Sequence, residues 1–595
     1  MNLRRAFWVP LPLLLLAACS TDKEPLKLRE AATAICGGGA SRQNNGKTNG
    51  TGADDSGGVG GGSIGTGGGS TWTGTTTSWT ETGGSGAWGG GGSGGSTGCG
   101  GMGGMGGSGG CGGSVVVGGG GSSGGTGGSV GGSAGAPAGG AGGMNAAPPR
   151  SPMVANGCAG VDLENPAKLY LSADDSNSMA SAGILRRLIH SGAKTVSAQY
   201  VRTYEVLNYY RYHFAPPPAG ELSITSQLGS CALTGDLALQ IAVTSPPAEV
   251  SRLPLTLTLV LDTSGSMSGE PIELEKTAVE AIAATLLPGD VVSAVTWSTD
   301  QSVLLDGYTV SGPNDPALLD LAAGLSADGG TDLDSGLTRG YELANAYRGS
   351  DRINRVILIS DGQANVGVTA ADLIGKNAED QDAEGIYLVG VGVGEGVNDT
   401  LMDTVTDAGR GAYIYLDTPM EASKMFVDRF SESVLVAARD VRIELTLPPY
   451  FGIKKFYGEE YSPDPTKVRT QHLAPDDSMM LYQIIHPCDP SLPSANDPYK
   501  VVVTWKDPLN GNSKSTTQET TLGQLGIDDG NLSKAAAIIA YTEALKALES
   551  LDEAGRITVL QDAKTFVASV DPNDTDPDLV EIQGLLSALI SNNGG

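Results

Sequence analysis

The sequence predicts an α/β protein built on a doubly wound, mostly parallel sheet. Three observations carry this. Between Ser251 and Val436, short unbroken apolar runs alternate with helical stretches, and strands buried on both faces read as such runs. Strand-rich segments lie on either side of this region, and the chain ends in helical patterns. Ahead of all of it, residues 19–150 are dominated by glycine, which predicts a disordered tether.

The elements follow in order. Residues 1–18 read as a signal segment. Arg4 and Arg5 precede an apolar run from Phe7 to Leu16 that is too short to span a bilayer. It ends in Leu16-Ala17-Ala18-Cys19, which resembles a bacterial lipobox. That resemblance implies a diacylated Cys19 as the mature N-terminus. Ser20, where an Asp would retain the protein at the inner membrane, points by resemblance to Gram-negative lipoproteins to the outer membrane, facing the periplasm or the cell surface. The alternative is an ordinary secretory signal with an incidental cysteine. The glycine-rich stretch cannot bury enough apolar area to offset its ordering entropy. As a coil of about 130 residues it would span roughly 60–70 Å.

From 158 to 250 the pattern gives a helix, Ser181 to Gly192, and a strand, Leu237 to Thr244. Arg186 and Arg187 on that helix read as solvated. The α/β region covers 251–437. Its strands are Leu255 to Leu261, Val291 to Trp297, Arg355 to Ile359, Ile386 to Val389 and Ala412 to Leu416. Its helices are Glu270 to Leu287, Asp334 to Tyr347, Ala370 to Glu384 and Pro419 to Val436. Strands return over 438–527, as Val441 to Leu447, Met479 to Ile485 and Lys500 to Trp505. The tail, 528–595, is helical from Leu532 to Ser550 and from Leu579 to Ser591; Asp571 to Asp576 between them reads as a turn and helix cap.

The chemistry concentrates at strand ends. The first sheet strand runs into Asp262-Thr263-Ser264-Gly265-Ser266. In open α/β sheets, ligands bind at the carboxyl ends of strands near a topological switch. A loop of this spacing can turn the oxygens of Asp262, Ser264 and Ser266 towards one point. A later strand ends in Ser360-Asp361-Gly362, adding a second carboxylate at the same edge, and Gly329-Gly330-Thr331 offers a hydroxyl between them. Five hard oxygens with no Cys or His select Mg²⁺, or Ca²⁺ or Mn²⁺, over Zn²⁺. Two carboxylates roughly neutralise such an ion.

This set, in this order and frame, resembles the metal-ion-dependent adhesion site of von Willebrand factor A domains, on a Rossmann-like sheet. The resemblance implies that Asp262, Ser264, Ser266, Thr331 and Asp361 ring a divalent cation, some through water. It further implies that an acidic side chain of a partner protein completes the shell, with no bond broken. More loosely, residues 158–593 resemble bacterial A-domain lipoproteins through Leu169 to Asp174, Ile184 to Leu188 and Arg202 to Tyr210. In those proteins the flanks form a β-rich domain around the inserted A domain, followed by a helical tail.

Other classes are disfavoured. The net charge is −29, with 37 basic and 66 acidic residues, which repels a phosphate backbone and argues against nucleic acid. His190, His213, His472, His486 and all seven cysteines lie outside Ser251 to Val436, so the α/β region holds no histidine-based triad and no cysteine nucleophile. Ser264 stands where a haloacid-dehalogenase-like phosphatase needs a second Asp. The expected protein is therefore a non-enzymatic, metal-dependent binding or adhesion lipoprotein of the cell envelope. The alternatives are a structural envelope protein whose metal only stabilises it and, further off, a metal-assisted hydrolase. Without Cys19, six cysteines remain: Cys36, Cys99, Cys111, Cys158, Cys231 and Cys488. An even count in an oxidising compartment suggests pairing. Cys231 and Cys488 sit in the flanks that the resemblance folds together, so a bridge between them is the expectation. The alternative is two buried thiols.

Overall fold

The computed structural model describes residue 158 and residues 161–595 apart from 175–176, 231–235, 249–251, 350, 364–384, 490, 509 and 527. The signal segment, Cys19, the tether, Cys231 and the expected helix Ala370 to Glu384 lie outside the described residues.

The described chain enters through β1 (Ala167–Ser172), α1 (Ala180–His190), α2 (Thr203–Tyr209), β2 (Ser223–Ser230) and β3 (Leu237–Thr244). The central region follows: β4 (Leu255–Asp262), α3 (Glu270–Thr285), β5 (Val291–Trp297), β6 (Gln301–Thr309), α4 (Pro316–Gly324), α5 (Leu333–Tyr347), β7 (Ile353–Ser360), β8 (Tyr387–Val393), α6 (Asp399–Gly409), β9 (Tyr413–Leu416), α7 (Pro419–Ser423) and α8 (Phe430–Val434). Next come β10 (Ala438–Leu447), β11 (Phe451–Phe456), β12 (Glu460–Ser462), β13 (Gln471–Leu473), β14 (Ser478–Pro487), β15 (Pro498–Lys506) and β16 (Ser513–Thr521). Helices α9 (Asn531–Ala547), α10 (Glu553–Val570) and α11 (Pro577–Asn592) close the chain.

The central sheet has the order β6-β5-β4-β7-β8-β9. All its pairings are parallel except the antiparallel edge strand β6, whose mixed polarity hid it from the sequence pattern. β4 is buried along its whole length because both faces are covered. Leu257, Leu259 and Leu261 pack with the apolar side of α3 and α4, while Val260 meets Leu337 and Tyr341 of α5. The close approach of α5 depends on glycine. A Cβ on Gly336 would come within 2.4 Å of the Trp297 side chain, and one on Gly340 within 2.3 Å of Val260. Winding leaves β4 first towards β5 and then back towards β7, so β4 is the switch point of the sheet.

Around this domain the two flanks share one β-sandwich. β1, from before the insert, pairs antiparallel with β10, from after it, and β3 pairs with β14 in the same way. One sheet runs β12-β1-β10-β15-β16 and the other β11-β14-β3-β2. Their inner faces meet through Leu171, Ile241, Val243, Ile443, Leu481, Val501 and Trp505.

Helix α1 belongs to the central domain as much as to the lead-in. Met179 N–H donates to Tyr413 O (2.8 Å). Ala180 and Ile184 pack on the sheet, while Leu185 and Ile189 pack against the tail helices. That wedge removes Arg186 from water, contrary to the solvated reading. Its guanidinium pairs with Asp417 (2.5 Å), Glu421 (2.8 Å) and Glu581 (2.9 Å). Arg187 pairs with Glu270 at the start of α3 (2.6 Å). The single helix expected over Pro419 to Val436 is broken by a π turn, Lys424–Asp428. The wider turn brings Arg429 inside, where it pairs with Glu432 and donates to Tyr209 O (2.8 Å). In the tail, Asp576 caps α11 and Asp571 accepts from Asp576 N–H (2.6 Å), as the turn-and-cap reading expects.

The expected Cys231–Cys488 bridge is corrected. Cys488 is bonded to Cys158, with Cα atoms 5.5 Å apart. The backbone explains the choice. Tyr450 N–H donates to Asp162 O (3.0 Å), and Cys488 N–H donates to Tyr450 O (2.8 Å). The entering segment is thus laced beside the end of β14. The bridge still joins the two flanks, across a separation of 330 residues.

His472 marks the contact between sandwich and central sheet. Its ring lies 4.6 Å from that of Tyr387, centroid to centroid, and its Nδ1 faces the Asp440 N–H (3.4 Å). Burial, reinforced by the neighbouring Arg410 charge, pushes its pKa down to about 3. The folded state then takes up this proton only near pH 3, and an unfolded histidine does so near 6.5. The associated stability is fully present above pH 6.5 and is lost as pH falls towards 3. Replacing His472 with Gln should shrink the stability loss between pH 7 and pH 4.5 by roughly 2 kcal/mol. Urea unfolding at both pH values, beside wild type, checks this; equal losses in the two proteins refute it.

Candidate metal centre

The switch point sets two strand ends side by side. Leu261 of β4 is in register with Ile359 of β7, so Asp262 lies next to Ser360 and Asp361 follows. Both carboxylates are buried, Asp262 at 0% exposure and Asp361 at 2%. The Asp262 Oδ1 accepts the Ser264 N–H (2.9 Å), which turns the chain back over the strand end. Its Oδ2 accepts the Ser360 hydroxyl (2.7 Å). The Ser264 and Ser266 hydroxyls stand 3.0 Å apart. Gly265 N–H donates to Gly329 O (3.2 Å), and Asp328 N–H donates to Thr263 O (2.8 Å). These bonds dock the loop carrying buried Thr331 onto the first loop. Gly330 N–H donates to the Thr299 hydroxyl (2.7 Å) and holds that loop from the β5 side. The Asp361 carboxylate accepts the Gln363 N–H (3.0 Å), and its carbonyl accepts the Asn398 N–H (2.9 Å). The loops bearing Asp262, Ser264, Ser266, Thr331 and Asp361 are therefore gathered at one edge.

Ser360 and Glu275 belong to the site although the sequence reading did not assign them. Ser360 also accepts the Gly362 N–H (2.8 Å), at a glycine with φ of +70°. Glu275 is fully buried beneath the loop and accepts the Asp262 N–H (3.0 Å). Its signal was visible: it occupies a position in the apolar stripe Ile272, Glu275, Val279, Ile282 of α3.

The electrostatics of the pocket follow from its burial. Burial raises the Asp262 pKa to about 7, hydroxyl and amide bonds from Ser264 and Ser360 oppose the rise, and the Asp361 charge adds to it. Burial, with Asp262 and Asp361 nearby, also raises Glu275 well above the usual carboxyl range. Among the described residues, neither Asp262 nor Asp361 forms an ion pair with a lysine or arginine. The donor set fits a hard divalent cation: two carboxylates, three hydroxyls and no sulfur or imidazole. No cluster of three or more His, Cys, Asp or Glu suited to a metal occurs among the described residues.

Residues 256–428 match the von Willebrand factor type A domain, a family that commonly mediates protein–protein interaction and adhesion and often binds a divalent metal at this motif. The central sheet has the fold of that domain. Over 311 residues the chain is 26% identical to the uncharacterized protein YfbK of Escherichia coli (strain K12), covering 48% of this chain and 51% of YfbK. Over 224 residues it is 30% identical to the uncharacterized protein sll0103 of Synechocystis sp., covering 37% and 52%. The chain thus spans about half the length of these relatives. Among solved structures, a von Willebrand factor type A protein from Catenulispora acidiphila aligns over 63% of this chain and 96% of its own, at 16% identity and a TM-score of 0.39.

If Ser360 orients Asp262, removing its hydroxyl should weaken magnesium binding without unfolding the protein. Ser360→Ala is expected to raise the Kd for Mg²⁺ about tenfold. Isothermal calorimetry with circular dichroism as a folding control tests it, and an unaltered Kd would contradict the role.

Proposed function

We propose that the protein is a metal-dependent binding or adhesion module of the bacterial envelope. In this reading Asp262, Ser264, Ser266, Thr331 and Asp361 hold Mg²⁺, or Ca²⁺ or Mn²⁺, and a partner protein docks there through an acidic side chain. The observation that supports it best is the buried pair Asp262 and Asp361, held by hydroxyls and amides and, among the described residues, without an ion-pair partner. The bound cation would supply an open coordination position for a partner's carboxylate oxygen. The protein's own residues do the rest. Asp262 and Asp361 contribute the charge, Ser264, Ser266 and Thr331 add neutral oxygens, and Ser360 and Glu275 fix the strand end. Because three of the five donors are uncharged, the site retains attraction for a further anion.

Attachment to the outer membrane through an acylated Cys19, with residues 19–150 as a tether, belongs to the same proposal. The lipobox and the glycine-rich composition support it. No described helix is long and apolar enough to cross a membrane. Acyl chains on a single cysteine, two or three in number, would give stable anchoring.

Two experiments test the reading. Asp262→Ala or Asp361→Ala should abolish calorimetric Mg²⁺ binding in a folded protein, and partner capture from envelope extract should be lost with either variant or with chelator. Capture that survives both treatments refutes the metal bridge. Metabolic labelling with an acyl analogue should mark the wild type and not Cys19→Ser; an unlabelled, released wild type refutes the anchor.

A further inference from the structure

The described loop residues at the edge bearing Asp262 and Asp361 carry acidic side chains and no basic ones of their own. Residues 262–273, 297–301, 326–335, 360–363 and 394–399 contain no lysine, arginine or histidine. Apart from Asp262 and Asp361, some of their carboxylates are neutralised by neighbours. Glu270 pairs with Arg187 (2.6 Å), Glu273 with Lys276 (2.8 Å) and Asp399 with Arg202 (2.5 Å). Asp300 and Asp328 are exposed, and neither forms an ion pair among the described residues. Both border the Thr331 loop. Asp328 is bonded through its N–H to Thr263 O (2.8 Å), and its carboxylate accepts the Gly329 N–H (2.8 Å). Asp300 follows Thr299, whose hydroxyl receives the Gly330 N–H (2.7 Å).

We infer that this rim selects a carboxylate displayed on a basic surface: the partner's Asp or Glu reaches the cation while flanking lysines or arginines meet Asp300 and Asp328. The inference rests on the metal-bridged reading above and adds the charge of the partner's surroundings. A carboxylate within an acidic run would bring like charges against Asp300 and Asp328, and would approach a chain of net charge −29. Like-charge juxtaposition is a recognised way of rejecting wrong partners, and complementary rims speed encounter. The cation attracts any carboxylate; the rim supplies the discrimination.

The test uses the full chain in magnesium and three synthetic peptides read by fluorescence anisotropy. One has a central Glu flanked by lysines, one the same Glu flanked by aspartates, and one the lysine peptide with Gln replacing Glu. The lysine-flanked Glu peptide should bind at least about tenfold tighter than either of the others. Chelator should remove that binding, and added salt should narrow the gap. The double variant Asp300→Asn, Asp328→Asn should bring the two Glu peptides to within about threefold of each other. Equal magnesium-dependent binding of both Glu peptides by the wild type overturns the rim inference alone, as does a gap that persists in the double variant. Failure of both Glu peptides to bind in a magnesium-dependent way, or chelator-resistant binding of the Gln peptide as tight as that of the Glu peptide, overturns the inference together with the metal bridge.

Discussion

Burying the Asp262 carboxylate is the constraint around which the central domain is arranged. The rise of its pKa from 3.8 to about 7 corresponds to a penalty on the order of 4 kcal/mol for the charged form. Without the hydrogen bonds from Ser264 and Ser360 the penalty would be larger still, and each of these residues needs its own support. Ser264 requires the sharp return of its loop, and Ser360 requires β7 beside β4 in the observed register. Glu275 takes the last strand amide, at the cost of a carboxyl buried in the core with its pKa raised. What these groups leave, among the described residues, is net negative charge at the strand end.

The position of this carboxylate follows from topology. Reversal of winding at β4 opens the crevice between β4 and β7, and the loops after β4, β5, β7 and β8 all end on that side. α5 can approach the sheet closely enough to shape the Thr331 loop because Gly336 and Gly340 present no Cβ to Trp297 and Val260. Loops supported by such a scaffold can hold polar groups in fixed geometry, because the scaffold carries the apolar burial.

The flanks enclose the domain in a different way. Pairing of β1 with β10 and of β3 with β14 makes a sandwich that cannot form until chain on both sides of the insert is present. The Cys158–Cys488 bond and the Arg186 cluster tie the same elements again, at the sandwich and at the tail respectively. The inserted domain is therefore held at its base and along β9, and the edge bearing Asp262 and Asp361 lies at the opposite ends of the strands.

The sequence by itself determined the central strands other than β6, and the strand-end placing of the five candidate donors. β4 and β5 are legible because strands covered on both faces must be apolar throughout, and Asp262, Ser264, Ser266, Thr331 and Asp361 stand at strand ends where a doubly wound sheet places ligands. It also showed that strands flank the insert, since their runs are plain on either side. Tertiary structure alone decided which distant groups meet. β6 gave no periodic signal because its exposed edge carries mixed polarity. Cys158, not Cys231, reaches Cys488 because hydrogen bonds through Tyr450 lay the entering segment beside β14. Arg186 looks like any surface arginine until β9 and α11 close over it, and Ser360 and Glu275 acquire their roles only when β7 and α3 pack against β4. Local patterns report the burial of a residue's own element; they do not report which other element supplies the partner, and that is settled by register and packing across the fold.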